Sequence, residues 1–261
     1  DGTVSVIDGL TNEITTTIPV EDEPVCLSCN SYNAKIYVVN YGYPGISSVS
    51  IIDSNADTLI TTINLTQLQR SALWVPNFNK VYIAGGGPAG KVTVLDGNTN
   101  MILKVIDGIG FSPVGIAYNS VNQKIYVTNY QSNTVSVIDV TLDSLITKIN
   151  VGNSPVHITY NPFNNKIYTA NFDGNSVTVI SGENDSVETS VPVGIRPYGL
   201  LYEPYANFIY VTDLWSDSLF IIDGNSNNIV GTLPSGGACP YSLLHNPLQN
   251  QVLVGNTFGG N

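Results

Sequence analysis

Short apolar runs rich in Val, Ile, Leu and Tyr alternate along the whole chain with polar segments of Asn, Asp, Ser, Gly and Pro. Residues 124–152 show the pattern most plainly. Three β-branched and aromatic runs, 125–128, 135–138 and 145–151, are separated by 129–133 and 139–143. The Asn, Asp and Ser side chains of those separators bond their own backbone and favour turns. The stretch therefore reads as strand, turn, strand, turn, strand.

Nearly the same stretch recurs. Taking the Lys-Ile-Tyr run as the marker, the aligned aliphatics Ile36, Val81, Ile125, Ile167, Ile209 and Val252 lie 45, 44, 42, 42 and 43 residues apart. Before each marker comes a first strand, at Pro24, Ser71, Pro113, Pro155, Pro197 and Pro240. After it comes a V-x-V-I-D-like third strand: 49–53, 92–96, 135–139, 177–181 and 219–223. A fourth follows at 59–65, 102–106, 145–151, 187–193 and 229–233. A repeat of this length with four short strands is a propeller blade.

The two ends supply complementary halves. The chain opens with a third and a fourth strand, at 4–8 and 14–20, and closes with a first and a second, at 240–246 and 251–256. Joined end to end, the terminal sequences reproduce the spacing of 170–181. The pattern predicts an all-β, six-bladed β-propeller of four-stranded antiparallel blades. It forms a single domain over 1–261, its ring closed by a composite blade of 240–261 with 1–20 and no edge left unpaired at the seam.

The residues that carry the repeat also carry a resemblance. Tyr126-Val-Thr-Asn129, its variants at Tyr37, Tyr168 and Tyr210, and the V-I-D and V-G-x-x-P flanks resemble the YVTN family of β-propellers, seen in archaeal surface-layer and other exported proteins. The resemblance covers essentially the whole chain. It implies an exported, extracellular or cell-surface setting and speaks to fold rather than chemistry; a module that binds protein or glycan through the aromatic loop face and self-assembles is the expected role. Family members are commonly seven-bladed, so six blades is a departure.

Composition narrows the partners. Hydrophobic residues make up 43% and charged residues 11%, with net charge −11 and a pI near 4.3. The Lys and Arg residues are scattered, without the cationic patch that nucleic acid requires. No apolar run reaches the roughly 20 residues of a membrane helix. The chain begins inside a repeat, so a leader would lie before this numbering.

In a propeller blade the loops joining fourth to first and second to third strands share one face. The residues opening the first strands on that face are Glu23, Arg70, Ser112, Ser154, Arg196 and Cys239. Arg70 and Arg196, the only arginines, fall three blades apart, placed to clamp an anion or to pair with acids such as Glu21, Asp22 or Glu23. In most blades the loops from second to third strand begin with aromatics, Tyr41 and Tyr43, Tyr130, Phe172, Trp215 and Phe258, suited to a sugar or a protein partner and equally to packing on the next blade.

Cys26 and Cys29 sit in a strand-like run, where i and i+3 are roughly 10 Å apart and point to opposite faces, unlike a redox or zinc pair. Cys26 and Cys239 are candidate neighbours across the seam, where a disulfide between them would staple the ring. His157, aligned with Cys26, Leu73, Gly115, Gly199 and Ser242, reads as structural. Asp-rich turns at Asp8, Asp53, Asp96, Asp139 and Asp223 have hairpin chemistry rather than calcium-loop spacing, so neither metal nor cofactor is expected. Asn64 and Asn184 head glycosylation sequons. No nucleophile elbow or phosphate loop is present. A non-catalytic module is the leading reading, and an enzyme or small-anion-binding protein with its site at the channel mouth is the alternative.

Overall fold

The computed structural model describes residues 2–43, 45–66 and 68–258, the side chain of Phe258 excepted. Two compact units, Asp1–Val114 and Gly115–Asn261, are taken in turn. In the first, β1 (Thr3–Ile7) and β2 (Ile14–Pro19) form a two-stranded sheet. Two four-stranded antiparallel blades follow: β3 (Pro24–Asn30), β4 (Lys35–Asn40), β5 (Ser47–Asp53), β6 (Thr58–Leu65), then β7 (Gln69–Val75), β8 (Lys80–Gly85), β9 (Lys91–Asp96), β10 (Ile102–Ile106).

The second unit takes up β11 (Pro113–Asn119), which opens across the boundary, with β12 (Lys124–Asn129), β13 (Thr134–Asp139) and β14 (Ser144–Asn150). The next blades are β15 (Pro155–Asn161), β16 (Lys166–Asn171), β17 (Ser176–Ser181), β18 (Val187–Pro192) and β19 (Pro197–Glu203), β20 (Phe208–Asp213), β21 (Ser218–Asp223), β22 (Ile229–Pro234). A two-stranded sheet, β23 (Ala238–Asn246) with β24 (Gln251–Phe258), ends the unit. The 24 strands among the described residues are the number that six four-stranded blades require.

Turn chemistry explains the regularity. Left-handed backbone recurs at the hairpins between first and second strands, at Asn79, Asn165, Asn207 and Asn250 among others, and between third and fourth strands, at Asn12, Asp57, Asn100, Asp185 and Asn227. Asn and Asp tolerate that conformation better than other side chains. Except in β17, which ends in Ser181, the Asp at the end of the third strand accepts backbone N–H groups two and three residues on, as Asp96 does from Asn98 at 3.0 Å and Thr99 at 2.7 Å. The backbone N–H of Thr99 is the largest influence holding the Asp96 carboxyl below its ordinary value, and that of Ser226 does the same for Asp223.

Packing between blades explains the Lys-x-Tyr run. Residues i and i+2 of a strand share a face. Lys124 and Tyr126 therefore reach together to Asp185, on the third hairpin of the following blade, at 2.6 Å each. Lys166 and Tyr168 grip Asn227 in the same way, and Lys35 and Tyr37 grip Asn100. The rings of Tyr37, Tyr126 and Tyr168 are fully buried. A buried phenol needs a partner for its hydroxyl, and the neighbouring turn supplies it.

A second latch runs from Asn30, Asn119 and Asn161 to the left-handed Asn79, Asn165 and Asn207 of the next blade, at 2.8, 2.7 and 2.7 Å.

One boundary differs from the sequence expectation. β7 starts at Gln69, two residues before Ser71, because Gln69 pairs with Gly85 as Pro24 pairs with Asn40. A 3-10 turn, Pro76–Phe78, replaces the turn that ends the other first strands, headed by Asn in four of them and by Glu203 in β19. Val75 stands where Asn30 stands and has no side-chain acceptor to organise that turn. His157 accordingly aligns with Ser71 rather than Leu73.

Candidate functional site: an aromatic loop end in the second unit

The loop before β19 carries Arg196 with φ +62, and its backbone N–H is held by the Asn175 side chain at 3.1 Å. The same device recurs where Asn133 holds Ser154 and Asp217 holds Cys239, both at 2.8 Å. Left-handed residues of one loop family thus fix left-handed residues of the other, and the Arg196 side chain leaves a rigid point.

Asp213 is the organiser of this site. It is fully buried at the end of β20, where β4, β12 and β16 have Asn40, Asn129 and Asn171. Those asparagines donate to hydroxyls on the third strand of their own blade, Asn171 to Ser176 and Thr178 for example. In β21 the second hydroxyl position is Phe220, which has nothing to offer. Asp213 turns instead to backbone N–H groups: Ile195 on the Arg196 loop, and Trp215 and Ser216 at 3.1 and 3.2 Å on the following loop. Three donors on one carboxylate offset the cost of its burial. A Cβ on Gly194 would overlap that carboxylate, so only glycine fits there.

The two loops bring Arg196 onto aromatic rings. Its guanidinium carbon lies 4.0 Å from the Trp215 ring centre and 5.0 Å from that of Phe172. Phe172 meets Tyr198 edge-on at 6.4 Å, Tyr198 stacks on Tyr241 at 4.2 Å with their hydroxyls bonded, and His157 sits 5.9 Å from Tyr198. Crowding by protein lowers the His157 pKa from its ordinary value. Tyr130 reaches Asp173 at 3.5 Å, and Ser154 reaches the same oxygen at 2.7 Å. Trp215 remains 62% exposed. Cation–π contacts of this kind contribute about 0.5–1 kcal/mol at exposed sites.

Arg70 is placed differently. It is the second residue of β7, in the repeat position of Tyr198 and Tyr241, whereas Arg196 precedes its strand. The expectation that the two arginines are equivalent fails on the two-residue shift of β7. Arg70 lies 4.8 Å from the Tyr41 ring centre and donates to the Tyr41 hydroxyl at 3.1 Å, with Tyr43 stacked on Tyr41 at 6.3 Å. Each guanidinium is thus seated on a ring, not on Glu21, Asp22 or Glu23. Beside Tyr43 an open groove of about 590 Å³ is lined by Glu21, Asp22, Ile46, Ser48 and Asn64.

Phe258 ends β24, and its side chain lies outside the described residues. Cys26, Cys29 and Cys239 are free thiols, so the candidate Cys26–Cys239 disulfide is not formed. The Cys26 sulfur faces the Ala72 carbonyl at 3.9 Å, and burial pushes its pKa up. Asn64 and Asn184 are exposed. No helix is long and apolar enough to cross a membrane among the described residues.

Sequence reasoning named Arg196, Phe172 and Trp215 and missed Asp213, Tyr198 and Tyr241. The signal for Asp213 was its departure from Asn at the last position of the Tyr-Val-Thr-Asn run.

Repeated four-stranded antiparallel blades packed strand on strand define a β-propeller. The chain matches hydrazine synthase of Kuenenia stuttgartiensis with a TM-score of 0.79 at 17% identity, over 99% of this chain and 90% of that one. At that identity the likeness concerns the fold alone. No family model and no curated protein matches the sequence.

Proposed function

We propose that this chain is an exported, cell-surface β-propeller of the YVTN kind. It works as a non-catalytic interaction module that holds a protein or glycan on the loop end carrying Trp215. The observation behind this reading is an indole that stays 62% exposed while a buried carboxylate, Asp213, fixes its loop and an arginine braces its ring. A ring needed only for packing would be covered; an exposed, braced ring matches the aromatic and Arg anchors of binding surfaces. The exposed sequons at Asn64 and Asn184 fit an exported chain, where they are available for glycosylation.

The two-stranded sheets belong, on this reading, to one sixth blade built from 240–261 with 1–20 in a single domain over 1–261. Its support is the spacing of the joined termini and the strand count. The alternative, an enzyme or anion-binding protein with Arg70 and Arg196 as a matched clamp, loses its main support because the arginines occupy different repeat positions.

The test is an array of oligosaccharides and surface-protein fractions probed with the wild type, Trp215→Ala and Phe172→Ala. Loss of at least about tenfold in binding, with unchanged circular dichroism, is the expected result, since truncated aromatic anchors commonly cost more than 1 kcal/mol. Full binding by Trp215→Ala overturns the reading.

A further inference from the structure

Arg196 belongs to a chain with net charge −11, yet its guanidinium rests on two rings and, among the described residues, meets no carboxylate. Among the described residues no oxygen accepts a hydrogen bond from it, and none accepts one from the Trp215 indole N–H. Other cations are differently engaged. Lys124 meets Asp185 at 2.6 Å, Lys166 meets Glu188 at 3.1 Å, Lys91 meets Asp107 at 3.0 Å, and Arg70 donates to Tyr41. Rings occupy the faces of a guanidinium but leave its in-plane N–H donors, the fork that reads a carboxylate, unspent. The backbone beneath this arginine is rigid, held by Asn175 and, one residue earlier, by Asp213.

We propose that Arg196 and Trp215 form a binding site for an acidic sugar, a uronate unit of a polysaccharide. This proposal rests on the reading of the loop end as a binding surface. The carboxylate of one unit takes the Arg196 fork at the edge of the indole, and the pyranose of the adjoining unit lies on the face of Trp215 opposite the guanidinium, where the negative ring face attracts the weakly positive C–H groups of a sugar. The indole N–H is left to meet a ring or hydroxyl oxygen. Tyr241, 43% exposed and linked to Phe172 through Tyr198, extends the flat surface for a neighbouring unit. An acidic peptide would instead call for an apolar groove or an unpaired strand edge beside the arginine, and the surface beside this one presents the exposed rings of Trp215 and Tyr241 over the half-buried Phe172 and Tyr198.

Calorimetric titration of the intact chain with trigalacturonate, with neutral galactotriose and with a Glu-rich peptide tests the proposal. Trigalacturonate is expected to bind, to weaken about tenfold or more in Arg196→Gln, to recover only partly in Arg196→Lys, and to weaken as salt rises. Galactotriose is expected to bind about tenfold more weakly, lacking the charge-assisted pair. Thermal melts of the variants establish that they fold, and Arg196→Lys keeps the charge while removing the fork.

Absence of trigalacturonate binding, or equal binding by wild type and Arg196→Gln, overturns the proposal. So does Arg196-dependent binding of the peptide alone. Equal affinity for galactotriose, lost in Trp215→Ala, ends acid recognition but leaves the binding face standing. If Trp215→Ala binds every probe as the wild type does, the interaction-module reading itself fails.

Discussion

Within the second unit, β15–β16 and β23–β24 use the same repeat positions and end in different environments. Register places Tyr168 of β16 opposite Thr159, and Leu253 of β24 opposite Leu244. Tyr168 is fully buried, gripping Asn227 of the next blade, while Leu253 is 51% exposed. Asn161 reaches Asn207 across the blade boundary, whereas Asn246 turns to Gln249 of its own hairpin at 3.3 Å. The strands pair equally well in both, so pairing is a local matter. Burial is conferred by the neighbouring blade, and the Lys-x-Tyr run is the part of the repeat that answers to it. Gln251 and Leu253 stand where Lys166 and Tyr168 stand, which removes the latch from the half-blade's own sequence.

Parallel alanine substitutions put the comparison under the greatest stress. Tyr168→Ala is expected to cost about 3–5 kcal/mol, as large-to-small changes of buried aromatics do. Leu253→Ala is expected to cost about 1 kcal/mol or less, because half its side chain already meets water. Urea unfolding of both variants measures the gap, and equal losses would mean that Leu253 is covered in solution.

Asp213→Asn probes the blade that departs from the pattern. Replacing a charged acceptor of backbone N–H groups by an amide is expected to cost about 1.5–3 kcal/mol. It should also change Trp215 fluorescence as the loop loosens. A stability loss with unaltered fluorescence would separate Asp213 from the placement of Trp215.

The smallest effect is a pH dependence. Burial pushes the Tyr37 phenol up to about 12 from its ordinary 10. The folded state therefore favours the neutral phenol, a contribution fully present below pH 10 and lost as pH rises toward 12. Tyr126 and Tyr168 are raised in the same direction, chiefly by burial. Tyr37→Phe should flatten the fall in melting temperature above pH 10; an unchanged slope would assign that fall to other groups.

Much of the fold was legible because it is local. Period-two alternation, a turn residue able to adopt left-handed backbone, and the proline opening most first strands set which segments pair and in what register. Where the proline is missing, at β7, the register slipped by two residues, since Ser71 to Val75 reads as a strand from either starting point. The loop-end aromatics were visible as a repeated position, and so were both arginines.

What those residues touch was not visible. Tyr126 meets Asp185 across 59 residues of chain, Tyr198 meets Tyr241 across 43, and one carboxylate serves two loops because Phe220 took the place of a hydroxyl. The sequence determined strands, turns and their order through interactions between near neighbours. Only blade-on-blade packing decided which phenols are buried, which arginine is consumed by a hydroxyl and which is left with its donors free, because that packing joins side chains a full repeat apart.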